Sequence, residues 1–99
     1  MQVTVKAYLF LRDSLGSDYI IVELPEDATV MELLRVLCRD YGIPEKLTIG
    51  SATLTLFGSH NKTDLTILVN GFNIRQLKGL SSILEEGDRV SIFPPAAGG

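Results

Sequence analysis

Apolar and polar residues alternate near both ends of this chain and recur every three to four positions between them. Val3, Val5, Ala7 and Leu9 alternate with Gln2, Thr4, Lys6 and Tyr8, the period of two that marks a strand with one buried face. Leu11 to Leu15 reads as a short turn of helix closed by Gly16-Ser17-Asp18, after which Ile20, Val22 and Leu24 alternate again. The two strands lie close enough in sequence to pair as an antiparallel unit. Pro25-Glu26-Asp27-Ala28 ends the second strand, and Thr29-Val30-Met31-Glu32 has the form of a capping box, which predicts a helix start. Val30, Leu33, Leu34, Leu37, Cys38 and Tyr41 then fall on one helical face, with Glu32, Arg35, Arg39 and Asp40 elsewhere. Gly42 supplies a C-terminal cap and Pro44 prevents resumption.

Glu45 to Asp64 carries short apolar groups (Leu47, Ile49, Leu54, Leu56, Phe57) broken by Gly and Ser, and predicts only short strands. Leu65 to Val69 is a continuous apolar strand, Asn70-Gly71 a tight turn, and Phe72 to Leu77 is expected to return as its partner. Leu80 to Leu84 predicts one helical turn, Glu85-Glu86-Gly87-Asp88 a reversal, and Arg89 to Phe93 the last strand. One amphipathic helix after two strands must cover a sheet, since neither element buries its apolar side alone. The order matches a β-grasp, an α+β fold of ubiquitin-like type in which a mixed sheet wraps one helix and the first and last strands run parallel side by side. On that arrangement Val5, Ala7, Leu9, Val90 and Ile92 face the helix, while Tyr8, Ser91 and Phe93 face outward. Exposed aromatic side chains are favoured anchors in interfaces, so Tyr8 and Phe93 mark a candidate docking patch.

Composition narrows the function. With 99 residues, 45% hydrophobic and 21% charged, the chain suits one domain, residues 1–93, followed by an extended segment 94–99. The net charge of −3 and the scattered Lys and Arg argue against a nucleic-acid footprint. A single cysteine, no leader and no long apolar run set the expectation of a cytoplasmic protein.

The closing residues Phe93-Pro94-Pro95-Ala96-Ala97-Gly98-Gly99 carry the candidate chemistry. Pro94-Pro95 stiffens the exit, while Ala96, Ala97, Gly98 and Gly99 offer no bulky or charged side chain to obstruct passage through a narrow channel. Extended, the six residues after Phe93 reach roughly 20 Å, enough to carry the carboxylate of Gly99 into a partner's active site. That carboxylate is the expected reactive group, and the folded body its handle.

Leu84 to Gly99 resembles the closing signature of the MoaD/ThiS family of sulfur carriers, most closely the small subunit of molybdopterin synthase. Leu11-Arg12-Asp13, Thr29-Val30 with Leu33-Leu34, and Val69-Asn70-Gly71 support the resemblance, which covers nearly the whole chain except Glu45 to Asp64. It implies three partners: a ubiquitin-activator-like adenylating enzyme, a persulfide sulfur donor, and the large subunit of molybdopterin synthase. The partner would use MgATP to join Gly99 to AMP, and sulfur would displace AMP to leave a thiocarboxylate. In the synthase that thiocarboxylate would give its sulfur to a pterin precursor, forming the dithiolene that holds molybdenum or tungsten. Gly98 and Gly99 would be the reactive end, and Tyr8, Phe93, Pro94, Pro95, Ala96 and Ala97 the partner-binding residues. The chain itself would be a sulfur-donor subunit with no cofactor or metal of its own. Relatives with the same ending that modify lysines or thiolate tRNA are the alternative.

Other signals carry less. Cys38 lies on the apolar stripe and reads as a small hydrophobe. His60 has no second ligand at metal spacing, Gly58 to Thr63 lacks the glycine a phosphate loop needs before Lys62, and Asn61-Lys62-Thr63 is a glycosylation sequon without an export signal. Glu85, Glu86 and Asp88 read as solvated turn residues.

Overall fold

The computed structural model describes residues 1–7, 18–49, 51–57 and 62–93. Leu9, the expected turn Leu11–Leu15 and the loop Gly58 to Asn61 with His60 lie outside the described residues. Among the described residues the strands are β1 (Gln2–Ala7), β2 (Tyr19–Glu23), β3 (Lys46–Ile49), β4 (Ala52–Thr55), β5 (Thr66–Val69), β6 (Phe72–Asn73) and β7 (Arg89–Phe93), with one α-helix, α1 (Val30–Tyr41). Five strands form a sheet in the order β2-β1-β7-β5-β6, in which β1 and β7 run parallel and every other neighbour pair is antiparallel. This is the β-grasp that the element order predicted.

The helix forms where its caps and stripe require. Thr29 is extended (φ −97°, ψ 169°) and its side-chain oxygen accepts the Glu32 amide at 3.3 Å, satisfying one of the amides that a helix start leaves unpaired. At the other end Gly42 turns left-handed (φ +73°) and returns its amide to the Leu37 carbonyl. Val30, Leu33, Leu34 and Leu37 are fully buried, and share one core with Val3, Val5 and Ala7 of β1, Ile67 of β5, and Val90 and Ile92 of β7. Each buried leucine of that stripe contributes about 1.5–3 kcal/mol of transfer free energy. Cys38 and Tyr41, at the stripe's margin, are half-buried.

Two expectations need correction. Phe72 to Leu77 does not return as a full strand: β6 stops at Asn73, whose side-chain oxygen accepts the Arg75 amide at 2.9 Å and starts a 3-10 turn, Ile74–Gln76, that sends Ile74 into the core. The turn expected at Leu80–Leu84 is a 3-10 turn over Gly79–Ser81. Ser82 beyond it is extended, and Ile83 bridges to Thr29 and is exposed. The short strands expected between Glu45 and Asp64 do form, as a two-stranded sheet of their own with β3 antiparallel to β4. Leu56 ties it to the body by its burial in the core, while within the segment the Leu56 amide donates to the Glu45 carbonyl at 2.9 Å and the Asp64 carboxylate accepts the Thr55 amide at 2.7 Å.

Candidate docking face and exit of the C-terminal segment

One face of the five-stranded sheet covers α1; among the described residues nothing packs over the other. Residues of β1, β7 and β5 alternate between them: Val3, Val5, Ala7, Ile67, Val69, Val90 and Ile92 point into the core, while Gln2 and Lys6 are exposed and Thr4, Thr66, Leu68, Ser91 and Phe93 half-exposed. The register aligns them in rows. Tyr19, Lys6, Ser91, Leu68 and Asn73 are successive Cα partners across all five strands, and Ile21, Thr4 and Arg89 form the adjacent row. Tyr19 is 59% exposed and Ile21 57%, so an aromatic and a branched aliphatic side chain stand in solvent beside the cations Lys6 and Arg89. Between them lies a depression of about 690 Å³, lined by Thr4, Lys6, Asp18, Tyr19, Arg89, Val90 and Ser91. Apolar anchors in a polar surround have the composition of a protein-docking surface.

Phe93 closes β7 opposite Thr66 and is half-buried, more covered than an outward-facing aromatic was expected to be. Of the site residues expected from sequence it is the one the structure describes. Tyr8, Pro94, Pro95, Ala96, Ala97, Gly98 and Gly99 lie outside the described residues. Tyr19 and Ile21 were overlooked as candidates, although the alternation that buries Val22 already turned both outward.

The start of β7 is fixed by polar contacts. At the β5–β6 turn Asn70 (φ +52°) and Gly71 (φ +88°) both take left-handed angles, as a two-residue hairpin of this twist requires. The Asn70 amide donates to the Arg89 carbonyl at 2.8 Å, its side-chain oxygen accepts the Arg89 amide at 3.0 Å, and its side-chain nitrogen donates to Asp88 at 2.9 Å. The other Asp88 oxygen accepts the Glu85 amide at 2.9 Å, and Glu86 accepts the Gln2 amide through both oxygens, at 3.1 and 3.3 Å. Part of the acidic cluster therefore organises the turn and the N-terminal strand as well as facing water.

Cys38 stands away from the open face, on the helix margin beside Arg35, Gly42, Glu45 and Phe57. Burial, and secondarily the negative charge of Glu45, push its thiol above the usual range, which disfavours the thiolate that redox or sulfur-relay chemistry would need. The exposed Arg39–Asp40 pair raises the guanidinium and lowers the carboxylate through their shared hydrogen bond. Among the described residues no three His, Cys, Asp or Glu side chains gather as a metal site, and no helix is long and apolar enough to cross a membrane.

Comparison with known proteins joins this geometry to a family. The ThiS family model matches residues 10–99, a span that includes α1, β7 and both closing glycines. The chain belongs to the ThiS family. This ThiS-family chain is 31% identical to small archaeal modifier protein 3 of Haloferax volcanii over 99 residues, all of both chains. It superposes on the solution structure of the Haloferax volcanii HVO 2177 protein with a TM-score of 0.75 and 31% identity, covering 100% of this chain and 87% of the other. A Pyrococcus furiosus protein bearing the name molybdopterin converting factor, subunit 1, aligns with a TM-score of 0.71 and 28% identity over 97% of this chain and 99% of its own. The chain is thus a β-grasp, ubiquitin-like domain of the family that holds sulfur carriers and ubiquitin-like modifiers.

Proposed function

We propose that this chain is a sulfur carrier that acts as the small subunit of a molybdopterin synthase, with Gly99 as its reactive end. The observation that carries the reading is the family match running through Gly98 and Gly99, beyond a strand that ends at Phe93 at the rim of an open sheet face. On this reading residues 1–93 form the folded handle and 94–99 the arm. A carboxylate of the kind Gly99 carries is ionised at pH 7 and resists nucleophiles, so it is first converted to a mixed anhydride with AMP, whose AMP is a good leaving group. Carboxylate and MgATP give acyl-adenylate and pyrophosphate on an adenylating partner. A persulfide sulfur then attacks the carbonyl carbon, AMP departs, and a thiol splits the resulting sulfur–sulfur bond to leave the thiocarboxylate. The acid, base and metal of these steps belong to the partners; this chain contributes the carboxyl, its reach of roughly 20 Å, and the docking face that orients it. Delivery to a pterin precursor is supported by the likeness to the Pyrococcus furiosus protein over nearly the full length of both.

A second reading, a ubiquitin-like modifier joined through Gly99 to lysine side chains, is supported by the full-length 31% identity to small archaeal modifier protein 3. Intact-mass measurement separates them. After incubation with the adenylating enzyme, MgATP and a persulfide donor, the carrier gains the mass difference between sulfur and oxygen, and supports dithiolene formation when the large subunit and pterin precursor are added. An unchanged mass with active partners refutes the carrier role. Gly99–lysine isopeptides in cells of the source, together with no dithiolene formation, favour the modifier.

A further inference from the structure

A second concavity lies off the open face, between the segment leading into β5 and the 3-10 turns that follow β6. It encloses about 440 Å³ and is lined by Lys62, Thr63, Leu65, Asn73, Arg75 and their neighbours. Of its lining residues Leu65 and Ile74 are buried while Lys62 and Arg75 are exposed, and neither cation has an ion-pair partner among the described residues. Among the described residues two cations and no acid line the groove, in a chain whose net charge is −3, so these side chains oppose the global charge. Its position ties it to the reactive end: Leu65 immediately precedes Thr66, the residue paired with Phe93 where the C-terminal segment begins.

We propose that this groove receives an acidic segment of the adenylating partner, two carboxylates pairing with Lys62 and Arg75 while the partner holds the C-terminal arm. The proposal rests on the carrier reading for the partner's identity. A carboxylate-bearing peptide suits the groove better than a phosphate does. Phosphate cradles are built from converging free backbone amides, and here two amides of the lining residues are already used. The Arg75 amide donates to the Asn73 side-chain oxygen at 2.9 Å and the Leu65 amide to the Thr63 hydroxyl at 3.2 Å. What remains is a pair of cations on flexible stems, flanked by the Thr63 hydroxyl and the Asn73 side-chain amide. Such groups follow the carboxylates of an extended chain and are screened by salt.

The test uses the full chain, isotopically labelled for amide NMR and titrated with the acetylated, amidated peptide Asp-Glu-Asp-Glu and, separately, with inorganic phosphate. The peptide is expected to shift the amides of Thr63, Leu65, Asn73, Arg75 and Gly79 saturably, and less as salt rises. The Lys62→Ala/Arg75→Ala double variant is expected to lose roughly three- to tenfold in affinity, as two exposed ion pairs allow. No shift, shifts that persist in the double variant, or tighter binding of phosphate than of peptide at the same amides each overturn the proposal. In sulfur loading, Lys62→Glu/Arg75→Glu should raise the KM for the carrier with kcat unchanged; an unchanged KM overturns it. Loading of the wild-type chain without peptide binding overturns the groove alone, whereas peptide binding without any loading overturns the carrier reading and removes the partner proposed here.

Discussion

Asn70 offers the sharpest test of how β7 is fixed in the sheet, because one side chain satisfies both a backbone demand and a bonding demand. Its φ of +52° lies in the left-handed region, where a Cβ-bearing residue other than Asn or Asp pays about 1 kcal/mol. Its side chain also donates to Asp88 at 2.9 Å and accepts the Arg89 amide at 3.0 Å, partly exposed bonds contributing about 0.5–1 kcal/mol each. Asn70→Ala removes both contributions and is expected to destabilise the fold by about 2–3 kcal/mol. Asn70→Gly keeps the backbone angle and loses only the bonds, about 1–2 kcal/mol. In a domain of this size each kcal/mol moves the midpoint by about 4–8 °C, so thermal melts should rank wild type above Asn70→Gly above Asn70→Ala, with the alanine variant lower by roughly 10–20 °C. Urea titration with an unchanged slope would confirm that the difference lies in the folded state. Equal losses in the two variants would refute the backbone contribution, and a fully stable Asn70→Ala would refute the whole account.

Other outcomes follow from the same structure. Leu33→Ala, at a fully buried position where the helix meets the sheet, should cost about 2–5 kcal/mol in urea denaturation, whereas Glu32→Gln, exposed in the first turn, should cost little. Cys38 should react with iodoacetamide more slowly in the folded chain than when unfolded at pH 8, because burial and then Glu45 favour the thiol, and Glu45→Gln should quicken it modestly. By linkage, a folded-state pKa raised above its unfolded value contributes stability below the ordinary thiol pKa and loses it as pH rises through the folded value, so removal of Cys38 should flatten the alkaline limb of the stability curve. Tyr19→Ala/Ile21→Asp, on exposed positions of the open face, should leave the melting temperature nearly unchanged and, on the proposed carrier reading, weaken binding to an adenylating enzyme by tenfold or more, read by calorimetry.

Much of this architecture could be read before any coordinates. The stripe from Val30 to Tyr41 with Thr29 and Gly42 at its ends, the alternation in β1 and β7, and the Asn70-Gly71 turn are local signals: each depends on backbone geometry set within a few residues. The return strand after Gly71 was misjudged for an equally local reason. Asn73 bonds the amide two residues on, a competition between side chain and backbone that apolar periodicity does not reveal. The docking face was half visible. Alternation turned Tyr19 and Ile21 outward, but only the pairing register showed that they stand in rows with Lys6 and Arg89, residues far away in sequence.

By itself, then, the order of residues determined the helix, its caps, the strands that carry the core and the family to which the chain belongs, because those depend on neighbours along the backbone and on the pattern of burial they impose. Tertiary structure decided which charges converge. The groove between Lys62 and Arg75 exists because β6 is cut short and the turn after it folds back beside the segment entering β5. No spacing in the sequence encodes that meeting; it arises from packing Ile74 and Leu65 into one core while their charged neighbours stay in water.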